Sequence, residues 1–120
     1  MFRQQQPPLH EVFNDGLLIY GHKQTQRSST GKRIGEAFIS EGTLAFKEIS
    51  RRDNDFQFAG MMGASLDLKV KTQYPPSFRN VNKAKLNVII NNIEYDVIKV
   101  DSDNLKRHLY FYLQEVGGLS

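Results

Sequence analysis

Acid–base or metal chemistry at neutral pH would fall first to histidine, and the chain carries three, His10, His22 and His108. None stands two or four residues from another and no His-Glu-x-x-His pair occurs, so a zinc-ligand spacing is missing. They read as three isolated imidazoles on the surface or rim of the fold. Nucleophilic catalysis needs a nucleophile, a base and an orienting group. The serines form no Gly-x-Ser-x-Gly elbow, and Ser28-Ser29-Thr30-Gly31 has the composition of a loop. Cysteine is absent, which removes thiol catalysis, disulfides and thiolate metal sites together. Thr30-Gly31-Lys32 has the ending of a phosphate loop, but that motif requires glycine five places before Gly31, where Gln26 stands. The carboxylate pairs Asp53/Asp55 and Asp101/Asp103 fall in polar stretches. A calcium loop would need Asp or Asn and then Gly after Asp103, but Leu105 stands two places on. General acid catalysis would need one of these carboxyls buried, whereas turns keep them solvated. No catalytic, cofactor-binding or metal-ligating residue is predicted, and the chain reads as a non-enzyme.

The remaining patterned charge is basic. Net charge is +3, with a sequence pI near 9.2. Between Gly21 and Glu36 stand His22, Lys23, Arg27, Lys32 and Arg33 with no acid among them, and Arg79, Lys83 and Lys85 form a second run. Such runs contact phosphates or acidic protein surfaces, or else simply keep a loop solvated. Tyr74, Phe78 and the strand aromatics can stack bases or fill a core. Met61 and Met62, between Gly60 and Gly63, suit adaptable contacts or plain packing.

These residues must be held by a small β domain. At 120 residues the chain is one domain, and its core must come from 8 Phe, 5 Tyr and the branched aliphatics, since Trp is absent. Hydrophobic content of 39% leaves room for exposed arms and loops. The first residues contain no apolar signal-peptide region, and apolar runs stop far short of the ~20 residues of a membrane span. A soluble protein made in a cytoplasm, with no membrane partner, is expected.

Residues 1–16, with three glutamines and Pro7-Pro8, read as an N-terminal arm, with a helical turn over Leu9–Phe13. Leu17–Gln26 reads as a strand, 27–36 as a mobile Gly-containing loop, and Thr43–Ser50 as a second strand. Arg51–Asp55 is a charged turn, and Phe56–Met62 one or two helical turns. Ser65–Tyr74 alternates best: Leu66, Leu68, Val70 and Thr72 face a core, while Asp67, Lys69, Lys71 and Gln73 face water. Pro75-Pro76 ends it, and 77–83 is a polar loop. Leu86–Ile90 and Ile93–Val100 flank a two-residue Asn91-Asn92 turn. After a turn at Asp101–Lys106, His108–Val116 is the last strand, and 117–120 a tail. The class is mainly β: a small antiparallel barrel or sandwich of about six strands over 17–116.

The closing strands resemble the phage head–tail joining family, also called head-closure or head–tail adaptor proteins. The resemblance rests on Leu86-Asn87-Val88-Ile89-Ile90, the Asn91-Asn92 turn, Ile93-Glu94-Tyr95-Asp96-Val97-Ile98-Lys99-Val100-Asp101, and then Asn104-Leu105-Lys106-Arg107 followed by Leu109-Tyr110-Phe111-Tyr112-Leu113-Gln114-Glu115. The earlier plan of arm, strand, mobile loop, strand and short helix is also similar, over perhaps 100 residues in all. The chain departs in lacking Trp and in having Gly21-His22-Lys23 where relatives keep a basic strand. The resemblance implies a β-barrel subunit of a homo-oligomeric ring in the virion neck. Such a ring sits below the portal and its adaptor ring, closes the DNA-filled head and offers the tail, or a tail terminator, its docking surface. It also implies that loop 24–36, with Lys23, Arg27, Lys32 and Arg33, contacts a neighbour or packaged double-stranded DNA. The arm, with Phe2, Arg3, Pro7 and Pro8, would dock on a neighbouring subunit. Two further readings stay open: another neck protein such as a tail terminator, and an OB-like nucleic-acid-binding module. The last predicts single-strand affinity that falls steeply with salt.

Overall fold

A computed structural model describes residues 11–118 of the chain. Six strands run in order as β1 (Gly16–Arg27), β2 (Arg33–Glu48), β3 (Leu68–Gln73), β4 (Asn87–Ile90), β5 (Ile93–Ser102) and β6 (His108–Gly118). One helix, α1 (Asp53–Met61), and one 3-10 turn, Pro76–Asn80, interrupt them. Every pairing is antiparallel, and the spatial order β1-β2-β3-β6-β5-β4 closes on itself where Ile19–Gly21 pair with Asn87–Ile89. The architecture is therefore a barrel rather than a sandwich.

Period-two alternation fills the interior. Leu18 and Tyr20 of β1, Phe46 of β2, Val70 and Thr72 of β3, Val88 and Ile90 of β4, and Leu109, Phe111 and Leu113 of β6 are all buried. Phe78 closes one end of this core. It is fully buried and meets Tyr20, Tyr74 and Phe111 edge-on, at centroid distances of 5.2, 6.1 and 5.9 Å. The expected polar loop 77–83 thus contributes the largest plug of the core. Pro76 starts the turn that carries it, because its fixed φ suits the first position of a helical turn. At Asn91 and Asn92 φ is 52° and 64°, the left-handed pair of a two-residue hairpin, as the sequence implies.

Five expectations need correction. The expected loop 27–36 is largely strand: β1 and β2 stay paired out to Arg27 and Arg33, leaving a turn of five residues. Both faces of that ribbon are wet, so it lacks the apolar alternation that marks a half-buried strand. The outer face of β3 is only partly wet: Asp67 and Gln73 are exposed as expected, but Lys69 is buried and Lys71 half-buried beneath Tyr110, Tyr112, α1 and Glu11. The helix starts within the expected charged turn, where the Arg52 amide donates to Asp55 Oδ2 at 2.9 Å and caps the first turn. β6 continues into the expected tail, pairing Gly117 and Gly118 with Glu94 and Ile93. The helical turn expected over Leu9–Phe13 is not formed at Glu11–Phe13, and the arm residues Phe2, Arg3, Pro7 and Pro8, with His10, lie outside the described residues.

Candidate interaction surface

The barrel projects one long element. β1 leaves its β4 partner after Gly21, and β2 meets β3 only at Phe46–Glu48, so between these points the two strands pair with each other alone. From His22 to the turn this ribbon is about 20 Å long at the usual strand rise. Its base is set by glycine. The register shifts between Tyr20 and Gly21, and a Cβ on Gly21 would stand 2.0 Å from the Ile39 carbonyl oxygen. No other residue fits that bulge, and the bulge redirects the strands away from the barrel. Ile34 and Ile39 lie exposed along the ribbon. The turn is tightly tied: Ser28 N donates to Lys32 O at 2.8 Å, Gly31 N to Ser28 O at 2.9 Å, and Gly31 has φ 83°.

The predicted basic residues are not one exposed patch. Lys23 Nζ lies 2.6 Å from Glu94 Oε2, and that hydrogen bond holds the lysine above its usual pKa. Arg27 Nη1 donates to Gly31 O at 3.1 Å and so serves the turn. Lys32 is exposed at the tip, and Arg33 stands opposite Arg27 in the register. His22 is tied at the ribbon base, with Nδ1 against Glu41 and Nε2 3.1 Å from the Ala84 carbonyl.

A cleft of about 690 Å³ runs along the outer face of β3 and β6. Its charges neutralise one another. Lys69 Nζ is 2.9 Å from Asp55 Oδ2 and sits over the Tyr112 ring at 4.9 Å. Lys71 Nζ is 2.8 Å from Glu11 Oε1 and over the Tyr110 ring at 5.6 Å. Glu11 also reaches Lys47 at 3.3 Å, and His108 Nε2 lies 3.6 Å from it. Burial pushes the Asp55 carboxyl up, but the Arg52 amide and Lys69 outweigh it and leave the carboxyl below its ordinary range. The hydrogen bond from Lys71 likewise holds Glu11 low. Both acids are thus kept charged by cations, the opposite of what a general acid requires. Asp55 is not the solvated turn residue that its sequence neighbourhood implies. Among the described residues, no group of three or more His, Asp or Glu is placed to hold a metal.

At the end of the barrel closed by Phe78, Arg79 and Lys83 meet Lys106 of the β5–β6 turn around a second cleft of about 420 Å³. Sequence reasoning grouped Arg79 with Lys83 and Lys85. It had no signal for Lys106, which the barrel closure brings in from more than twenty residues away. Met61 and Met62 are exposed at the end of α1 rather than packed in the core.

No protein-family model matches the chain, and neither does any curated protein. Among solved structures, the chain is similar to the solution structure of protein SF1141 from Shigella flexneri 2a. The TM-score is 0.61 at 14% identity, covering 86% of this chain and 93% of that one. At that identity the likeness is one of fold alone.

Proposed function

We propose that the chain is a structural subunit of a phage neck, working as a ring that closes the DNA-filled head below the portal and adaptor and presents the tail with its docking surface. The observation that carries this reading is the ribbon of β1 and β2, a paired element that leaves a closed barrel with open backbone edges on both sides. A barrel has few edges to offer a neighbour, so strand addition between copies falls to this ribbon. Along it, Ile34 and Ile39 supply apolar area that a neighbouring copy would bury. The resemblance in the closing strands supports the same assignment. The work is mechanical: the barrel is the rigid body, and the ribbon is the part that reaches a neighbour or the channel. The virion neck is the corresponding location.

An OB-like single-strand-binding module is less well supported, because stacking needs open ring faces. Lys71 covers Tyr110, while Lys69 and Lys99 cover Tyr112. Light scattering of the purified chain, alone and mixed with portal–adaptor complexes of the phage that encodes it, tests the assignment. The expected result is a monomer alone that joins those complexes as a ring, and joins poorly as the Ile34→Asp, Ile39→Asp double variant. A chain that stays apart from the complexes refutes the reading.

A further inference from the structure

We infer that the barrel end formed by Arg79, Lys83 and Lys106 is a contact site for the phosphate backbone of duplex DNA, and that the basic ribbon is not. Two of the ribbon's cations are engaged, Lys23 with Glu94 and Arg27 with the turn carbonyl of Gly31, which leaves Lys32 exposed by itself at the tip. The barrel end is different. Arg79, Lys83 and Lys106 line one cleft, and none has a carboxylate within ion-pairing distance among the described residues. The two acids nearby are taken: Asp101 by Lys99 at 3.1 Å, and Asp103 by His108 at 3.2 Å. The lysines are also held in place rather than free to sweep. Lys106 Nζ donates to Ser102 Oγ at 3.0 Å, and Lys83 Nζ lies 5.0 Å from the Phe78 ring centroid.

Three cations around one cleft, whose lining acid Asp101 is paired with Lys99, suit a polyanion, and two features choose nucleic acid over an acidic protein. A protein interface carries an apolar centre. Of the large apolar residues exposed among the described residues, Leu105 is the one on the turns that form this end; Phe56 and Met61 lie on α1, and Met62 just beyond its end. Phosphate contacts need no such centre. The form of nucleic acid follows from the aromatics. Tyr74 is half-buried with its ring edge-on to Phe78, so unstacked bases find no platform here. A duplex presents phosphates without needing one.

The inference does not depend on ring assembly: a chain that binds duplex DNA but never joins portal complexes would leave it standing and remove the proposed function. One copy engages few phosphates, so its affinity is low, and a ring would multiply it.

The test is fluorescence anisotropy of the full chain with a labelled duplex of about 20 base pairs, titrated over a range of salt. Three phosphate contacts give a log–log salt slope of about −2.7, so each doubling of salt weakens binding about 6-fold. The variant Arg79→Ala, Lys83→Ala, Lys106→Asn, in which Asn tolerates the positive φ of Lys106, is expected to lose the salt slope while keeping its urea midpoint. Lys32→Ala, at the ribbon tip, tests the competing site and is expected to bind as the parent does. A wild-type slope shallower than about −1 overturns the inference, and so does tighter binding to a single strand of the same length. A loss of affinity in Lys32→Ala equal to that of the triple variant also overturns it.

Discussion

Replacing Asp55 by alanine tests whether the outer face of β3 is structural or merely wet. In the native fold the Asp55 carboxylate does two things: it pairs with the Lys69 ammonium at 2.9 Å and accepts the Arg52 amide at the start of α1. The two side chains of the pair are only 9% and 12% exposed, so the lysine cannot reach water without moving α1 or Tyr112. Leaving one member of a buried pair uncompensated costs about 3 kcal/mol at the low end of the measured range. Losing the helix cap adds about 1 kcal/mol when the two losses do not fully sum, giving a total of about 3–4 kcal/mol. For a chain of 120 residues, each kcal/mol lowers Tm by about 4 °C, so the expected drop is about 12–16 °C. Lys69→Met should cost no more than about 1 kcal/mol, because Asp55 keeps the Arg52 amide and an apolar stem replaces a desolvated charge. In the Lys69→Met background, Asp55→Ala should then cost only the cap, about 1 kcal/mol. Urea unfolding of the four chains, with m-values compared, supplies the coupling energy. A loss below about 1 kcal/mol for Asp55→Ala alone would refute the reasoning, because it would mean that Lys69 is solvated as the simple alternation implies.

Phe78→Ala should cost about 3–5 kcal/mol, since the ring is fully buried between Tyr20, Tyr74 and Phe111; calorimetry reads it as a Tm drop of about 12–20 °C. Gly21→Ala should destabilise by about 1–3 kcal/mol, because its Cβ meets the Ile39 backbone and the bulge must open. Amide exchange in that variant should rise first in the ribbon, and a uniform rise across all strands would contradict the local account. Acid should weaken the fold through Glu11 and Asp55. Both carboxyls titrate below their ordinary values when folded, so their contribution is complete above the unfolded carboxylate range near pH 4 and disappears as pH falls through the folded values. The urea midpoint should therefore be flat from about pH 6 to pH 5, fall below about pH 4, and fall less in Glu11→Gln.

Local chemistry by itself determined the frame of this protein. Alternation at Leu66, Leu68, Val70 and Thr72 and at Leu109, Phe111 and Leu113 marks strands with one buried face, because the strand repeat is two. Asn91-Asn92 marks a hairpin, because asparagine tolerates positive φ, and Pro75-Pro76 marks a strand end, because proline has no amide to donate. Where a partner lies far along the chain, these signals fail. Nothing local says that the polar run 27–36 is held as a ribbon, since the hydrogen bonds of β1 to β2 use backbone groups that every residue carries. Nothing local says that Lys69 and Lys71 are covered, because the covering groups, Asp55, Glu11, Tyr110 and Tyr112, come from three other segments. The four cations chosen from the ribbon were one cluster in sequence, yet Glu94 and the turn carbonyl of Gly31 separate their roles in space. The converse holds for Arg79, Lys83 and Lys106: closure of the barrel assembles them around one cleft, and the carboxylate that lines it with them, Asp101, is paired with Lys99. Spacing reports what a strand or turn does to its own side chains; which charges meet, and which are left facing solvent, is decided by strand order.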